Sequence, residues 1–323
     1  MAMCKSIVQH WLQSQCPVQL LCPRLRLFTA QQTASRAMQC TYTYSCRFIG
    51  QWRDMDVAIK TVKGPRAAMT PSRDRMLDRE ISLLQTVRHP NIVLFLGAGV
   101  FEDGTAFLVT ELMERDTLTS VLHDEDVCLG WRDRSRFALE TALGMAHVHS
   151  LGRMHRDLKS GNILVSRTMQ LKIADFGTAS LARITTGGAG AAAGGGGSGA
   201  TGANGAYGAH GAGRGGHTLG VGTPLWMAPE ILAGQAYDGS ADVFSFGMVM
   251  WEIGAWRLPW GEVAESEGFL DSLLGRLRLG ERPEAGAGWP AGYVEVMAAC
   301  WCTRAAARPS FATLVRELER ILY

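Results

Sequence analysis

"HRDLKSGNILVSRTMQLKIADFG", residues 155–177, places Asp157, Lys159, Asn162 and Asp175 within one short segment. Immediately upstream, "WRDRSRFALETALGMAHVHSLG" (131–152) has the apolar spacing of a long amphipathic helix, stopped by Gly152. His147 and His149 lie two apart on that helix and so do not share a face, which gives zinc no pair to start from. His155 reads as a packing residue rather than a base or metal ligand. Downstream, 24 of the 30 residues from Gly187 to Gly216 are Gly or Ala. Such a tract cannot bury enough apolar surface to offset its ordering entropy, so residues 184–219 are expected to be a disordered insert. Beyond it, "ADVFSFGMVMWEIG" (241–254) and "FATLVRELERIL" (311–322) return to helical patterning.

The chain ahead of this stretch is patterned differently. "DVAIKTV" (56–62) is β-branched and alternating, as in a strand. Residues 72–88 set Met76, Leu77, Leu83 and Leu84 among charges at helical spacing, and "NIVLFLGAGVFEDGTAFLVTEL" (91–112) reads as two strands joined by a turn at "EDGT". Strands and one helix thus come first and helices afterwards, with a seam near Met113. The expected class is α+β: two lobes with a cleft between them.

Bulk properties narrow the function. A chain of 323 residues with 47% hydrophobic and 19% charged residues can bury a substantial core. A net charge of +2 gives no case for a nucleic-acid partner or an anionic membrane. No apolar run reaches the length of a membrane span; the nearest, Val243 to Ile253, is broken by Ser245 and Glu252 and preceded by Asp242. Five of the eight cysteines fall in the first 46 residues, and Cys300 and Cys302 have no second pair at zinc spacing. They read as reduced thiols of an intracellular protein, with the cytoplasm as the expected compartment. Residues 1–53 carry six Lys or Arg and no acid. Residues 1–39 accordingly stand apart as an extension with three readings: a disordered tail, an organelle-directing segment, or a mis-assigned first exon.

Four blocks occur in a fixed order: "VAIK" (57–60), "HRDLKSGN" (155–162), "DFG" (175–177) and "APE" (228–230). Together they resemble the signature set of protein kinase catalytic domains, from about Gly50 to Tyr323. The resemblance implies a kinase domain over 40–323, with a mainly β small lobe (40–113), a mainly helical large lobe (114–323) and ATP with Mg2+ in the cleft. It implies that Lys60 contacts the α and β phosphates, with Glu80 on the first helix as its carboxylate partner. Asp157 would accept the substrate hydroxyl proton, Lys159 would neutralise the transferring phosphate, and Asn162 and Asp175 would hold magnesium. Thr110 would stand at the back of the adenine pocket, Glu111 to Met113 would read adenine through the backbone, and Ala58 and Leu164 would sandwich the ring. Leu84, Phe95, His155 and Phe176 would stack between the lobes, and Glu230 would pair with Arg308.

Finer features point within the family. Lys159 and "GTPLWMAPE" (222–230), with Thr223 facing the substrate, resemble the serine/threonine form. "GQWRDMDVAIK", "HPNIVLFLGA" and "DVFSFGMVMWE" resemble the Raf-like, MAP kinase kinase kinase type of the tyrosine-kinase-like group. That implies a protein substrate, itself a downstream kinase. Arg156 before the catalytic aspartate implies an anion partner, such as an activation segment phosphorylated by another kinase or by itself. Thr178, Ser180, Thr185, Thr186 and Thr218 are the candidate sites. One departure stands out. The glycines expected to cover the phosphates fall at Cys40, Tyr42 and Ser45, and none is glycine. The alternative expectation is therefore a kinase-fold scaffold, or a truncated form with impaired ATP binding.

Overall fold

The computed structural model describes residues 19–20, 39–40, 45–52, 55–65, 71–101, 104–176, 180–181, 223–261 and 268–323. Glycine- and alanine-rich residues 187–216, like Tyr42, Thr178, Thr185, Thr186 and Thr218, lie outside them. Six strands form the first sheet: β1 (Gln19–Leu20), β2 (Gln39–Cys40), β3 (Ser45–Trp52), β4 (Met55–Pro65), β5 (Phe95–Val100) and β6 (Thr105–Glu111), in the order β1-β5-β6-β4-β3-β2. One helix, α1 (Pro71–Thr86), falls between β4 and β5. All pairings in this sheet are antiparallel, with Ala58 opposite Thr110 and Lys60 opposite Leu108.

Strand alternation explains how β4 presents its lysine. Val57 and Ile59 point to one face, where they are buried with Phe107 and Val109 in a small cluster of their own. Ala58 and Lys60 therefore point to the other face, toward the main body of the protein. Leu77 and Leu84 of α1 are buried in the large core together with Phe95, Ala98 and Leu108, which seats the helix on the sheet.

The second half is helical. Its helices are α2 (Leu118–Leu122), α3 (Trp131–Ser150), α4 (Pro229–Leu232), α5 (Ser240–Ala255), α6 (Phe269–Arg278), α7 (Ala291–Cys300) and α8 (Phe311–Leu322). Two short sheets lie among them: β7 (Arg153–Met154) with β10 (Ser180–Leu181), and β8 (Ile163–Val165) with β9 (Leu171–Ile173). α3 ends as its sequence requires, with Gly152 at φ +66° just past the cap, a left-handed conformation that a β-carbon disfavours. At Gly144 an added β-carbon would come within 2.6 Å of the Asn91 carbonyl oxygen, so glycine lets α3 close on the segment leading to β5.

Every residue from Ala241 to Gly254 is buried, which makes α5 the axis of the helical lobe. The most apolar run of the sequence is thus a core helix, and among the described residues no helix is long and apolar enough to cross a membrane. A buried ion pair ties the lobe together. Arg308 donates to Glu230 Oε1 at 2.5 Å and Oε2 at 3.0 Å, with further bonds to the Ser240 and Cys302 carbonyls. The fold is the bilobal α+β arrangement expected from the order of patterns.

Candidate active site

The loop from β7 to β8 is fixed from below by α5. Asp242, 1% exposed, accepts the backbone N–H of His155 and of Arg156, both at 2.8 Å, and lies 2.9 Å from His149 Nε2. Burial alone would push its carboxyl up, but the His149 hydrogen bond and charge, His155 and the Arg156 N–H together hold it below the ordinary value. His155 packs as expected, its ring 5.0 Å from that of Phe176 and its Nε2 3.0 Å from the Ala174 carbonyl oxygen. Leu84, Phe95 and Phe176 share the main core beside it.

On this foundation the loop gathers Asp157, Lys159 and Asn162. Lys159 Nζ reaches Asp157 Oδ2 at 2.9 Å, and Asn162 Nδ2 donates to Asp157 Oδ2 at 2.9 Å and to its carbonyl oxygen at 2.7 Å. The Asp157 side chain remains 21% exposed, so it is oriented yet reachable. Asp175 follows β9, whose Ile173 is tied to Asn91, while the Ala174 N–H donates to the Asn162 carbonyl at 2.9 Å. Arg156 and Asp175 adopt φ +70° and +62°, left-handed conformations held by these surroundings.

Lys60 arrives from the sheet. Its Nζ meets Asp175 Oδ1 at 2.9 Å, closing the cleft between the lobes with both side chains partly exposed. Glu80 belongs to α1, but its side chain lies outside the described residues, as does that of Thr223. Thr110 is the penultimate residue of β6 and donates its hydroxyl to the Glu111 carbonyl at 3.2 Å. Glu111 pairs with Lys172 of β9 at 2.7 Å and accepts the Leu94 N–H at 2.6 Å, so the connection between lobes is pinned from both sides. Met113 is buried at the seam, and Ala58 and Leu164 are half-buried on β4 and β8. At the positions expected for the phosphate loop, Cys40 pairs with Cys46 and Ser45 with Val62 in the antiparallel ladder.

Asn162 turns its amide nitrogen to Asp157, which leaves Oδ1 as the acceptor of its side chain, and its backbone carbonyl accepts the N–H of Ala174, the residue before Asp175. An amide oxygen and a carboxylate suit a hard cation such as magnesium. Arg156 differs: its Nε is buried with no hydrogen-bond partner among the described residues, and its guanidinium lies 5.6 Å from the Tyr237 ring centroid.

Three contributors were not singled out from the sequence. Glu252 registered only as an interruption of an apolar run, Asp242 only as the residue preceding that run, and Ser160 only as a letter within a motif. Glu252 is fully buried, accepting from Ser160 Oγ at 2.6 Å and from Trp226 Nε1 at 3.0 Å, and burial pushes its carboxyl up to about 7. The available signal was an acid inside an otherwise apolar helix, which must find partners or neutralise. Among the cysteines, Cys128, Cys300 and Cys302 are free thiols.

The family profile described as "Protein kinase domain" matches residues 41–318. The chain is 31% identical over 85% of its length to the RGS domain-containing serine/threonine-protein kinase A of Dictyostelium discoideum, of which the match covers 21%. It is 34% identical to the dual specificity protein kinase shkA of the same organism, with 84% of this chain and 46% of the relative covered. A third relative, the probable serine/threonine-protein kinase drkD, is 31% identical across 86% of this chain and 19% of its own length. The chain therefore spans less than half the length of each of these curated relatives.

Proposed function

The chain belongs to the protein kinase family, and from that premise we propose that it transfers the γ-phosphate of ATP to serine or threonine hydroxyls of a protein substrate in a signalling cascade. The observation that carries the reading is that Lys60, from the first sheet, pairs with Asp175, while Lys159 and Asn162 both bond to Asp157 and the Ala174 N–H on the Asn162 backbone carbonyl ties the two groups together. Phosphoryl transfer spreads negative charge over the γ-phosphoryl oxygens, so catalysis is mostly positioning and charge compensation. Asp157, steered by Lys159 and Asn162, accepts the substrate hydroxyl proton as the new O–P bond forms. The bond from the γ-phosphorus to the β-γ bridging oxygen breaks, and ADP leaves. Lys159 compensates charge on the phosphoryl group in flight, and Lys60 holds the α and β phosphates with Glu80 as its proposed partner. Asn162 and Asp175 would hold magnesium, which when bound neutralises phosphate charge. Thr110, the Glu111–Met113 backbone, Ala58 and Leu164 are the proposed adenine contacts.

The subgroup we assign is the Raf-like type, with residues 40–323 as the catalytic domain and a downstream kinase as substrate. The "GTPLWMAPE" and "DVFSFGMVMWE" segments support it. The buried Arg156 Nε, without a hydrogen-bond partner among the described residues, supports activation by phosphate on the segment between Asp175 and Glu230. The deciding assay compares Mg-ATP phosphorylation of a protein substrate by the wild type, Lys60→Met and Asp157→Asn. Both variants are expected to lose at least about a hundredfold in rate. Equal signal in all three would end the enzyme reading.

A second reading, a kinase-fold scaffold, is favoured by one observation: Cys40 and Ser45 occupy phosphate-loop positions where glycine is expected. A β-carbon there keeps backbone N–H groups from closing on phosphate. ATP binding is expected to be weaker than in a glycine-bearing kinase but measurable. A nucleotide titration that shows no binding at millimolar ATP supports the scaffold instead.

A further inference from the structure

We infer that Ser160 and Glu252 are positioning residues that make the catalytic loop and the Trp226 segment move as one unit. The inference rests on the kinase reading, since it is the protein substrate that must be held between these two segments.

The connection is a chain of hydrogen bonds through four separate parts of the fold. Thr119 Oγ1 of α2 lies 2.5 Å from Ser160 Oγ in the catalytic loop. Ser160 Oγ lies 2.6 Å from Glu252 Oε1 in α5, and Glu252 Oε2 accepts Trp226 Nε1–H at 3.0 Å. A serine hydroxyl has a single proton. With the carboxylate ionised, Ser160 donates to Glu252 and must accept from Thr119. Trp226 is held twice by the same helix, because Ser245 Oγ also donates to its carbonyl at 2.9 Å.

Filling the space could be done more cheaply. Ser160 and Glu252 are both 0% exposed, and a leucine or methionine in α5 would avoid the cost of burying a carboxyl. A carboxyl does what an apolar side chain cannot: it offers two acceptor oxygens, and here each serves a different loop. Ser160 follows Lys159 directly and opens the short turn Ser160–Asn162. Trp226 closes the turn Thr223–Trp226, immediately ahead of "MAPE". Neither segment shares a backbone hydrogen bond with the other among the described residues. The side-chain relay is thus a direct polar link from the proton-accepting loop to the segment proposed to face the substrate. Lys60 and Asp175, which serve the nucleotide, lie outside it.

The test uses Ser160→Ala, Glu252→Leu and Glu252→Gln in the full chain. Glutamine keeps both bonds: its amide oxygen accepts from Trp226 and its amide nitrogen donates to Ser160, which then donates to Thr119. Ser160→Ala and Glu252→Leu are expected to raise KM for the protein substrate about five- to tenfold, with KM for ATP unchanged and glutamine near wild type. A physical readout accompanies the kinetics: the indole N–H resonance of Trp226 in 15N-tryptophan-labelled protein, assigned by its loss in Trp226→Phe. It is expected to shift in Ser160→Ala, although Ser160 does not bond to Trp226 directly. An unmoved resonance, or equal changes in both KM values, overturns the inference. If the wild type transfers no phosphate, the proposed activity fails, and the resonance alone still decides the coupling; should Glu252→Leu not fold, Ser160→Ala carries both readouts.

Discussion

Asp242 and Glu252 stand on one buried helix and are driven in opposite directions by what surrounds them. Asp242 is held below its ordinary 3.8 by His149, His155 and the Arg156 N–H despite burial, whereas Glu252 has only a hydroxyl and an indole and rises to about 7. Their effects on stability therefore run oppositely with pH. For Asp242, folded pKa lies below unfolded, so its contribution is present above about 3.8 and is lost as pH falls through the lowered value. For Glu252, folded lies above unfolded, so its contribution is fully present below 4.5 and is lost as pH rises through about 7. The Glu252 component is on the order of 3 kcal/mol. Glu252→Gln is expected to remove it, flattening the fall in unfolding free energy between pH 5 and pH 8 measured by urea denaturation; an unchanged pH slope would falsify the assignment. Arg308 and Glu230 test a different residue-scale effect. Arg308→Leu leaves the Glu230 carboxylate, 10% exposed, without its cation, and about 3–5 kcal/mol of stability is expected to be lost in the same experiment.

At the scale of elements, contact distance decides more than propensity. α3 was legible from its periodicity and from Gly152, but nothing in the pattern showed that Gly144 is where the helix touches Asn91 and Ile173. Gly144→Ala improves intrinsic helix propensity yet places a methyl 2.6 Å from the Asn91 carbonyl oxygen and 2.8 Å from Ile173 Cδ1. It is expected to destabilise by about 1–3 kcal/mol through overpacking. Because Ile173 ends the strand that leads to Asp175, kcat should fall as well; thermal melting and steady-state kinetics on one preparation check both. α5 gives the complementary case. Its run of apolar residues announced burial, but a helix buried all round has no periodicity from which to read the partners of Asp242, Ser245 and Glu252.

For the molecule as a whole, the proposed function depends on two lobes meeting. Lys60 and Asp175 are 115 positions apart and join across the cleft at 2.9 Å, and Glu111 with Lys172 fastens the same seam at 2.7 Å. A ligand that binds only this closed arrangement stabilises the fold by mass action, about 2.7 kcal/mol at a hundred times its Kd. Mg-ATP at millimolar concentration is expected to raise the melting temperature by a few degrees, on the order of the shift such a gain produces. Lys60→Met should abolish the rise, and Asp175→Asn should abolish its dependence on magnesium. Identical shifts for all three proteins in a thermal-shift titration would place the nucleotide elsewhere.

The sequence by itself determined the order of strands before helices and the two lobes, and it named the residues proposed for the cleft, because these rest on local periodicity and on short motifs whose members are near neighbours. It also showed the missing phosphate-loop glycines, a matter of residue type alone. Only the tertiary structure decided which groups support the site. Asp242 beneath the loop that carries Asp157, Glu252 between Ser160 and Trp226, and Gly144 against Asn91 owe their roles to partners far along the chain. The reason is physical: a charge state or a close contact is set by burial and by the atoms within a few ångströms, and folding alone brings those atoms together.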